Sequence, residues 1–252
     1  MIDFSGQRVV ITGATGGVGR ALIETFHTYG AEIIGYDVAG ADFDGLPVKH
    51  IYQFDLTDKA ALQNAMRDTC TDRPPPAAVI SNAGWTRAET LNDVTPEAFE
   101  KELNVNFKAA AELAHAFLPI MRDKGGAFVF ISSVNALTHF GNPAYAAAKA
   151  GLLAWSRAIA TEEGCSGIRS NAIAPGSILT PNWAHRLAVD PNLADRLKNL
   201  YPLGRFVLPE EVAQTAAFLA SPLAGGITGA TIPVDAGLMA GNMPFLNEIA
   251  SL

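Results

Sequence analysis

The chain has few cysteines and no apolar run long enough to cross a bilayer. Its two cysteines, Cys70 and Cys165, lie far apart with no Cys-x-x-Cys spacing, so neither a disulfide framework nor a zinc site is expected. The apolar runs fall short of the ~20 residues that span a membrane, and residues 1–4 lack the basic start of a signal peptide. We therefore expect no metal, no membrane partner and a reducing, cytoplasmic location.

Basic residues are also in short supply. Eighteen Lys plus Arg against 25 Asp plus Glu leave a formal charge of -7, with no basic stripe. Such a balance argues against a nucleic-acid groove or an anionic membrane surface. The hydrophobic fraction is 49%, which excludes a disordered chain, and the length permits a sizeable core. A small-molecule substrate or ligand is the better expectation.

Short β-branched runs alternate with segments of helical period along the whole sequence. This alternation is typical of a parallel sheet covered by helices on both faces. We predict a single doubly wound, Rossmann-type α/β domain over residues 1–252, with a substrate-covering loop at 176–208 and a C-terminal tail at 238–252. The apolar residues of that tail predict that it docks on its own or a neighbouring subunit's substrate loop. The predicted strands, about seven in number, are 8–12, 31–36, 48–54, 77–81, 127–132, 168–173 and 230–234, and the predicted helices are 18–29, 58–69, 96–122, 144–163 and 209–220.

A glycine-rich segment directly follows the first predicted strand and opens the first predicted helix. In this position, backbone N–H groups of a glycine loop can approach a pyrophosphate, and a side chain would block that approach. The alternative is a turn that serves packing only. The predicted cofactor contacts in the segment are Gly13, Thr15, Gly17, Val18 and Gly19.

Asp37 ends the second predicted strand, 18 residues after Gly19. An acidic residue about 20 residues beyond the loop accepts hydrogen bonds from the adenosine ribose hydroxyls. Its charge would repel the 2′-phosphate of NADP, and no Lys or Arg stands between Gly13 and Gly19, or between Asp37 and Lys49, to offset that repulsion. NAD is therefore the predicted cofactor. The alternative is a solvated aspartate at a strand end.

Tyr145 and Lys149 are four residues apart in a predicted helix, so their side chains share one face. We expect an ammonium about 4 Å away to lower the tyrosine pKa by roughly 3, enough for a phenolate to accept a hydroxyl proton while hydride leaves for nicotinamide. Lys149 would also bind the nicotinamide ribose, which holds cofactor and Tyr145 in one frame. A serine hydroxyl, from Ser132 or Ser133, would steady the substrate oxygen. An ordinary exposed pair is the alternative.

These residues resemble the short-chain dehydrogenase/reductase family, and the resemblance covers nearly the whole chain. It implies that Asn106 keeps a water near the lysine for proton relay. It also implies that Asp55 and Leu56 lie by the adenine. Further cofactor neighbours implied by the resemblance are Asn82, Ala83 and Gly84 beside the sheet, and Pro175, Gly176, Ile178 and Thr180 at the nicotinamide carboxamide.

The resemblance leaves the catalytic serine open between two neighbours. The Ile-Ser-Ser motif favours Ser133, whereas the family's more common spacing, counted back from Tyr145, points to Ser132. Beside Ser133 and Tyr145, we expect Asn135 and His139 to contact the substrate, with a surface role as the alternative. Further loop candidates are Trp85, Arg87, Trp183, His185 and Arg186.

The combined pattern predicts an NAD-dependent oxidoreductase acting on a secondary alcohol or on a sugar or polyol hydroxyl. One alternative is a 3-ketoacyl thioester reductase, which in this family normally prefers the phosphorylated cofactor that Asp37 should repel. Another is a dinucleotide-binding protein without turnover. The family commonly assembles through the helices predicted at 96–122 and 144–163, so a homotetramer is expected.

Overall fold

A computed structural model describes residues 1–87, 90–178, 180 and 188–250 of the chain. Within these residues, one parallel sheet of seven strands has the order β3-β2-β1-β4-β5-β6-β7. The order reverses between β1 and β4, which is where doubly wound sheets open a crevice for ligands. The predicted single Rossmann-type domain is thus confirmed. The strands are β1 Arg8–Thr12, β2 Glu32–Asp37, β3 His50–Gln53, β4 Ala78–Ser81, β5 Gly126–Ile131, β6 Ile168–Pro175 and β7 Thr231–Val234.

The helices begin where the sequence supplies capping groups. Asp58 accepts hydrogen bonds from the backbone N–H groups of Ala60 and Ala61, and Thr95 accepts one from Ala98, which satisfies donors that a helix start leaves unpaired. Among the described residues the α-helices are α1 Gly17–Thr28, α2 Lys59–Cys70, α3 Pro96–Leu103, α4 Ala109–Met121, α5 Pro143–Glu162, α6 Leu193–Lys198, α7 Pro209–Ala220 and α8 Met243–Ala250. Of these, α6 and α8 were not predicted.

The helix predicted at 96–122 is not one continuous α-helix. A π-helical turn, Asn104–Lys108, separates α3 from α4. The amide of Asn106 donates to the backbone carbonyl of Trp85 at 2.6 Å, so a side chain inside the turn is anchored to a neighbouring loop. Single π-helical turns within α-helices are frequent at functional sites. The hydrophobic period of the sequence does not reveal them.

The core lies in two layers, one on each face of the sheet. Val9 and Ile11 of β1 pack with the layer under α1 and α7, whereas Val10 packs with the layer under α2, α4 and α5. Successive residues of a strand face opposite sides, and a parallel strand covered on both sides is apolar throughout. All five residues of β1 are therefore buried.

The segments after β6 differ in how they pack. Ile178 forms a β-bridge with Val207, and the Tyr201 hydroxyl accepts a hydrogen bond from the Ser177 N–H, so this part of the predicted substrate loop folds against the carboxyl edge of the sheet. Helix α8 buries none of its residues, and Phe245 and Ile249 are 63% and 66% exposed. Over residues 243–250 the tail therefore does not dock on its own chain. In the described part of the sequence, no helix is both long enough and apolar enough to traverse a bilayer.

Candidate active site

The glycine loop is packed too tightly for side chains at two of its positions. Gly13 has a φ of +61°, and a Cβ there would lie 2.8 Å from the Ala83 Cα. A Cβ on Gly19 would lie 2.1 Å from the Gly13 carbonyl oxygen. Glycine is thus required for a left-handed turn at the first position and for close helix approach at the second.

The loop after β4 fixes the glycine loop from the other side of the crevice. The Asn82 amide donates to the carbonyls of Thr12 and Gly13 at 3.1 and 3.0 Å. The Thr12 hydroxyl accepts from the N–H groups of Asn82 and Ala83, both at 3.0 Å. Loops after β1 and β4 are therefore locked together at the switch point of the sheet, where a dinucleotide would lie.

Asp37 reaches the glycine loop directly. One carboxylate oxygen accepts from the Thr15 N–H at 2.8 Å and from the Thr15 hydroxyl at 2.9 Å, and the other accepts from the Val38 N–H at 2.8 Å. Arg20 donates to the Thr15 carbonyl at 3.0 Å and to the Asp42 carbonyl at 2.9 Å. Arg20, which directly follows the glycine loop, thus contacts the same residue, Thr15, that Asp37 contacts.

Two further predicted cofactor neighbours lie after β3. Asp55 is exposed, and its carboxylate accepts from the N–H and the hydroxyl of Thr57 at 2.8 and 2.7 Å. Leu56 is partly buried and packs against the core layer on the α2 side of the sheet. Both residues belong to the chain between β3 and α2, and that placement is compatible with an adenine neighbour.

The segment after β6 approaches the glycine loop. A Cβ on Gly17 would lie 2.8 Å from the Thr180 methyl carbon, so Thr180 covers the start of α1, next to Val18. Gly176 packs against Asp235, to whose Cα a Cβ would come within 3.1 Å. Pro175 ends β6, and Leu179 lies outside the described residues. Of the residues predicted at the carboxamide, Thr180 therefore lies against the glycine loop.

Tyr145, Lys149 and the two serines meet where β5 ends. The Ser133 hydroxyl lies close enough to the Tyr145 phenol to favour its ionised form, which lowers the Tyr145 pKa, and it also accepts a hydrogen bond from the Asn135 N–H at 3.1 Å. Ser132 is buried and donates to the backbone carbonyl of Lys149 at 2.9 Å. This geometry favours Ser133 as the substrate-facing serine, because Ser132 is occupied in holding α5 against the sheet.

The lysine does not acidify the tyrosine as the sequence argument expected. Burial raises the pKa of Tyr145 to about 12, since desolvation outweighs the hydrogen bond from Ser133, and the negative charge of Glu102 adds to the rise. The Lys149 ammonium lies 5.6 Å from the centre of the phenol ring and donates to the Ile131 carbonyl at 2.8 Å. Burial lowers the pKa of Lys149 to about 8, and Glu102 opposes that fall.

Asn106 is fully buried, and both the oxygen and the nitrogen of its side chain take part in hydrogen bonds. Its oxygen accepts from the Trp85 N–H at 3.0 Å, and its NH₂ group donates to the Trp85 carbonyl. The same NH₂ group donates to a carboxylate oxygen of Glu102 at 2.7 Å. A Cβ on Gly84 would lie 3.0 Å from the Asn106 oxygen and 3.4 Å from the Lys149 nitrogen, so both polar groups border the same small space.

Sequence reasoning missed Glu102, which is fully buried at this site. In the sequence it stands beside Glu100 and Lys101, and such a run usually marks a solvated helix face. The available signal was its position four residues before Asn106, which places both side chains on one face of a helix.

The residues predicted to contact the substrate differ in their surroundings and in their exposure. The Asn135 amide donates to the Gly141 carbonyl at 3.0 Å, so it shapes the loop before α5, and His139 is exposed. The Lys101 ammonium lies over the Trp85 ring, 4.1 Å from its centre. Arg87 is exposed. The candidates Trp183, His185 and Arg186 lie outside the described residues.

Comparisons with known proteins agree over nearly the whole chain. A family model described as Enoyl-(Acyl carrier protein) reductase matches residues 13–239. An uncharacterized oxidoreductase of Schizosaccharomyces pombe is 35% identical over 251 residues, which are 98% of this chain and 96% of that protein. A 3-oxoacyl-[acyl-carrier-protein] reductase of Thermotoga maritima is 33% identical, over 93% and 98% of the two chains. The crystal structure of an oxidoreductase of the short chain dehydrogenase/reductase family from Burkholderia thailandensis has a TM-score of 0.91 and 35% identity, over 98% of each chain.

Proposed function

The chain belongs to the short-chain dehydrogenase/reductase family, and we propose that it is an NAD-dependent oxidoreductase of a secondary alcohol or of a sugar or polyol hydroxyl. The observation that carries this proposal is the convergence of Ser133, Tyr145, Lys149 and Asn106 beside a glycine loop bound to Asp37. Bound NAD would supply the hydride acceptor and a positive charge next to the phenol.

The proposed chemistry assigns one task to each polar group. Tyr145 exchanges a proton with the substrate oxygen, and the neighbouring Ser133 hydroxyl orients that oxygen. Lys149 binds the nicotinamide ribose and passes protons on, while Asn106 holds a water for that relay. Because the pKa of Tyr145 is raised to about 12 in the protein alone, nearby positive charge has to lower it before the phenol can serve as a base.

The preference for NAD is proposed from Asp37. Its carboxylate stands at the glycine loop, where a 2′-phosphate with about -1.5 to -2 charges would be repelled. Asp37→Ser should weaken NAD binding and improve NADP binding, so that the ratio of the two dissociation constants changes at least about tenfold. Asp44→Asn is the matched control, because Asp44 is an exposed acid of the following loop. An unchanged ratio for Asp37→Ser would refute the assignment.

The role of Tyr145 is tested by removing one oxygen atom. Tyr145→Phe keeps the ring and loses the proton donor and acceptor, so kcat should fall by at least about a hundredfold while the dissociation constant of NAD changes little. A panel of sugars, polyols, hydroxy acids and simple secondary alcohols, followed by the absorbance of reduced cofactor, identifies the substrate class. Turnover that survives Tyr145→Phe would remove the phenol from the mechanism.

A second candidate function is reduction of a 3-oxoacyl thioester. It is favoured by the identity with the Thermotoga maritima reductase. Acetoacetyl-CoA with NADH and with NADPH, in parallel with the alcohol panel, separates the two functions. Faster turnover of the thioester with NADPH than of any alcohol with NAD would establish the second candidate and overturn the first.

A homotetramer and a cytoplasmic location complete the proposal. The exposed apolar side chains of α8 would then dock on a neighbouring subunit, and two free cysteines suit a reducing compartment. Light scattering of the full chain and of a chain ending at residue 242 tests the assembly. A monomeric full chain would refute the tetramer.

A further inference from the structure

We propose that Glu102 is a positioning residue of the active site, whose buried carboxylate orients the Asn106 carboxamide and keeps the Lys149 ammonium charged. The inference deepens the proposed function, on which it rests for the roles of Asn106 and Lys149. It concerns a side chain that the proposed proton transfer does not itself use.

The carboxylate of Glu102 is fully buried and is held by hydrogen bonds from two segments. One oxygen accepts from the Arg87 N–H at 3.0 Å, and the other accepts from the Asn106 NH₂ group at 2.7 Å. A buried carboxylate is costly to keep unless donors and a cation compensate it. An apolar side chain would fill this position on α3 at lower cost, so the charge requires a reason of its own.

The first reason is the direction of the Asn106 amide. An ionised carboxylate only accepts hydrogen bonds, so it pairs with the NH₂ end of a carboxamide and never with its oxygen. The oxygen of Asn106 must then face the other way, toward the Trp85 N–H and the space over Gly84 that Lys149 also borders. A neutral glutamine in place of Glu102 can present either end, so the backbone groups of Trp85 and Glu102 would then hold the amide without support from a charged acceptor.

The second reason is the charge of Lys149. Glu102 bonds the Asn106 amide, whose oxygen borders the space over Gly84 that the Lys149 nitrogen also borders. Burial alone favours the neutral amine, and the negative charge of Glu102 opposes that effect, so removing this charge should lower the lysine pKa further. The groups that face this pair include Tyr145, on the same helix as Lys149, together with the Thr86 hydroxyl and the Arg87 N–H. The Lys101 ammonium lies over the Trp85 ring, and the Arg87 side chain is exposed.

The decisive measurement is the pKa of Lys149 in the protein without NAD or substrate. The chain has seven lysines, so NMR with lysine labelled at the ε-carbon resolves them, and Lys149→Met assigns the signal. Glu102→Gln should lower the Lys149 pKa by about 1. Glu102→Asp keeps the charge and should restore it, and Glu100→Gln, an exposed acid of the same helix, should leave it unchanged.

The pH profile of kcat should shift in the same direction as the Lys149 pKa. In alcohol oxidation the active form has a charged lysine and an ionised tyrosine, so the alkaline limb of the kcat profile reports Lys149. Glu102→Gln should shift that limb to lower pH by about 1, with little change in KM, and Glu102→Asp should return it. A variant that is merely less stable would lose activity equally at every pH.

The outcomes separate this inference from the proposed function. A folded Glu102→Gln protein with an unchanged Lys149 pKa overturns the inference, whatever the substrate is. A lowered pKa in a protein that oxidises no alcohol supports the inference and refutes the proposed function. Should Glu102→Gln fail to fold, the pH titration of the Lys149 signal in the unaltered protein tests the inference instead. Burial raises the pKa of Glu102, so the Lys149 signal should show a second step above the ordinary carboxyl range, and its absence overturns the inference.

Discussion

Replacing Gly19 by alanine should disrupt the nucleotide loop more than any other single methyl group added to it. The new Cβ would lie 2.1 Å from the Gly13 carbonyl oxygen and 2.5 Å from that of Ala14. Heavy atoms in van der Waals contact are about 3.5 Å apart, so the overlap exceeds about 1 Å against backbone atoms that cannot rotate away. Either the loop or the start of α1 has to move.

The size of the effect follows from two opposing contributions. Alanine is favoured over glycine inside a helix by about 1 kcal/mol, and overpacking of a rigid site costs about 1 to 3 kcal/mol or more. An overlap of this depth belongs at the upper end, so we expect a net loss of about 2 kcal/mol in the free energy of unfolding. For a domain of this size that corresponds to a melting temperature about 4 to 8 °C lower.

The assay compares Gly19→Ala with Gly16→Ala in the same loop. A Cβ on Gly16 would meet the Gly13 oxygen at 3.4 Å, and the backbone there has a φ of -67°, which any residue adopts. Melting by circular dichroism and titration with NAD should show a lower melting temperature and at least about tenfold weaker binding for Gly19→Ala only. Equal values for the two variants would refute the packing argument.

Two further changes test other contacts. Hydrogen bonds from Arg205 and from the Leu208 N–H lower the pKa of Glu211 to about 2, so these contacts stabilise the fold above the ordinary carboxyl range and lose their effect as the pH falls toward 2. Glu211→Gln should melt about 1 to 2 °C lower at pH 7. The difference from the unaltered chain should shrink as the pH falls from about 5 toward 2, and a constant difference would contradict the ion pair. Tyr36→Phe removes a buried hydrogen bond of 2.6 Å to Thr69 and should cost about 1 kcal/mol in urea unfolding, whereas an unchanged midpoint would show that the bond adds nothing.

The sequence predicted the fold well because the fold follows from local pattern. The bounds of β1 and α7 agree with the predicted ranges, and the other predicted strands differ by at most a few residues, as expected where helix and strand ends fray. In these segments, buried apolar runs and helical period indicate the same element that the tertiary packing requires.

The site was predicted only in part because its electrostatics depend on contacts distant in sequence. The spacing of Tyr145 and Lys149 indicated the candidate site, but it did not reveal the burial that raises the pKa of Tyr145 and lowers that of Lys149. Arg20 lies just outside the spans of sequence that lack a cation, and its contact with Thr15, the residue that Asp37 also binds, was not anticipated. Glu102 was missed because nothing in a run of charged residues distinguishes the one that is buried.

The π turn at Asn104–Lys108 makes the site sensitive to chain length as well as to residue type. A π turn accommodates one residue more than an α turn, and each residue of an α-helix advances the direction of its side chain by about 100°. Loss of a single residue here would let α3 and α4 merge into one regular helix without disturbing the sheet. Asn106 would then rotate out of reach of Trp85 and Gly84, so we expect a one-codon deletion to leave a folded protein that has lost the proposed proton relay.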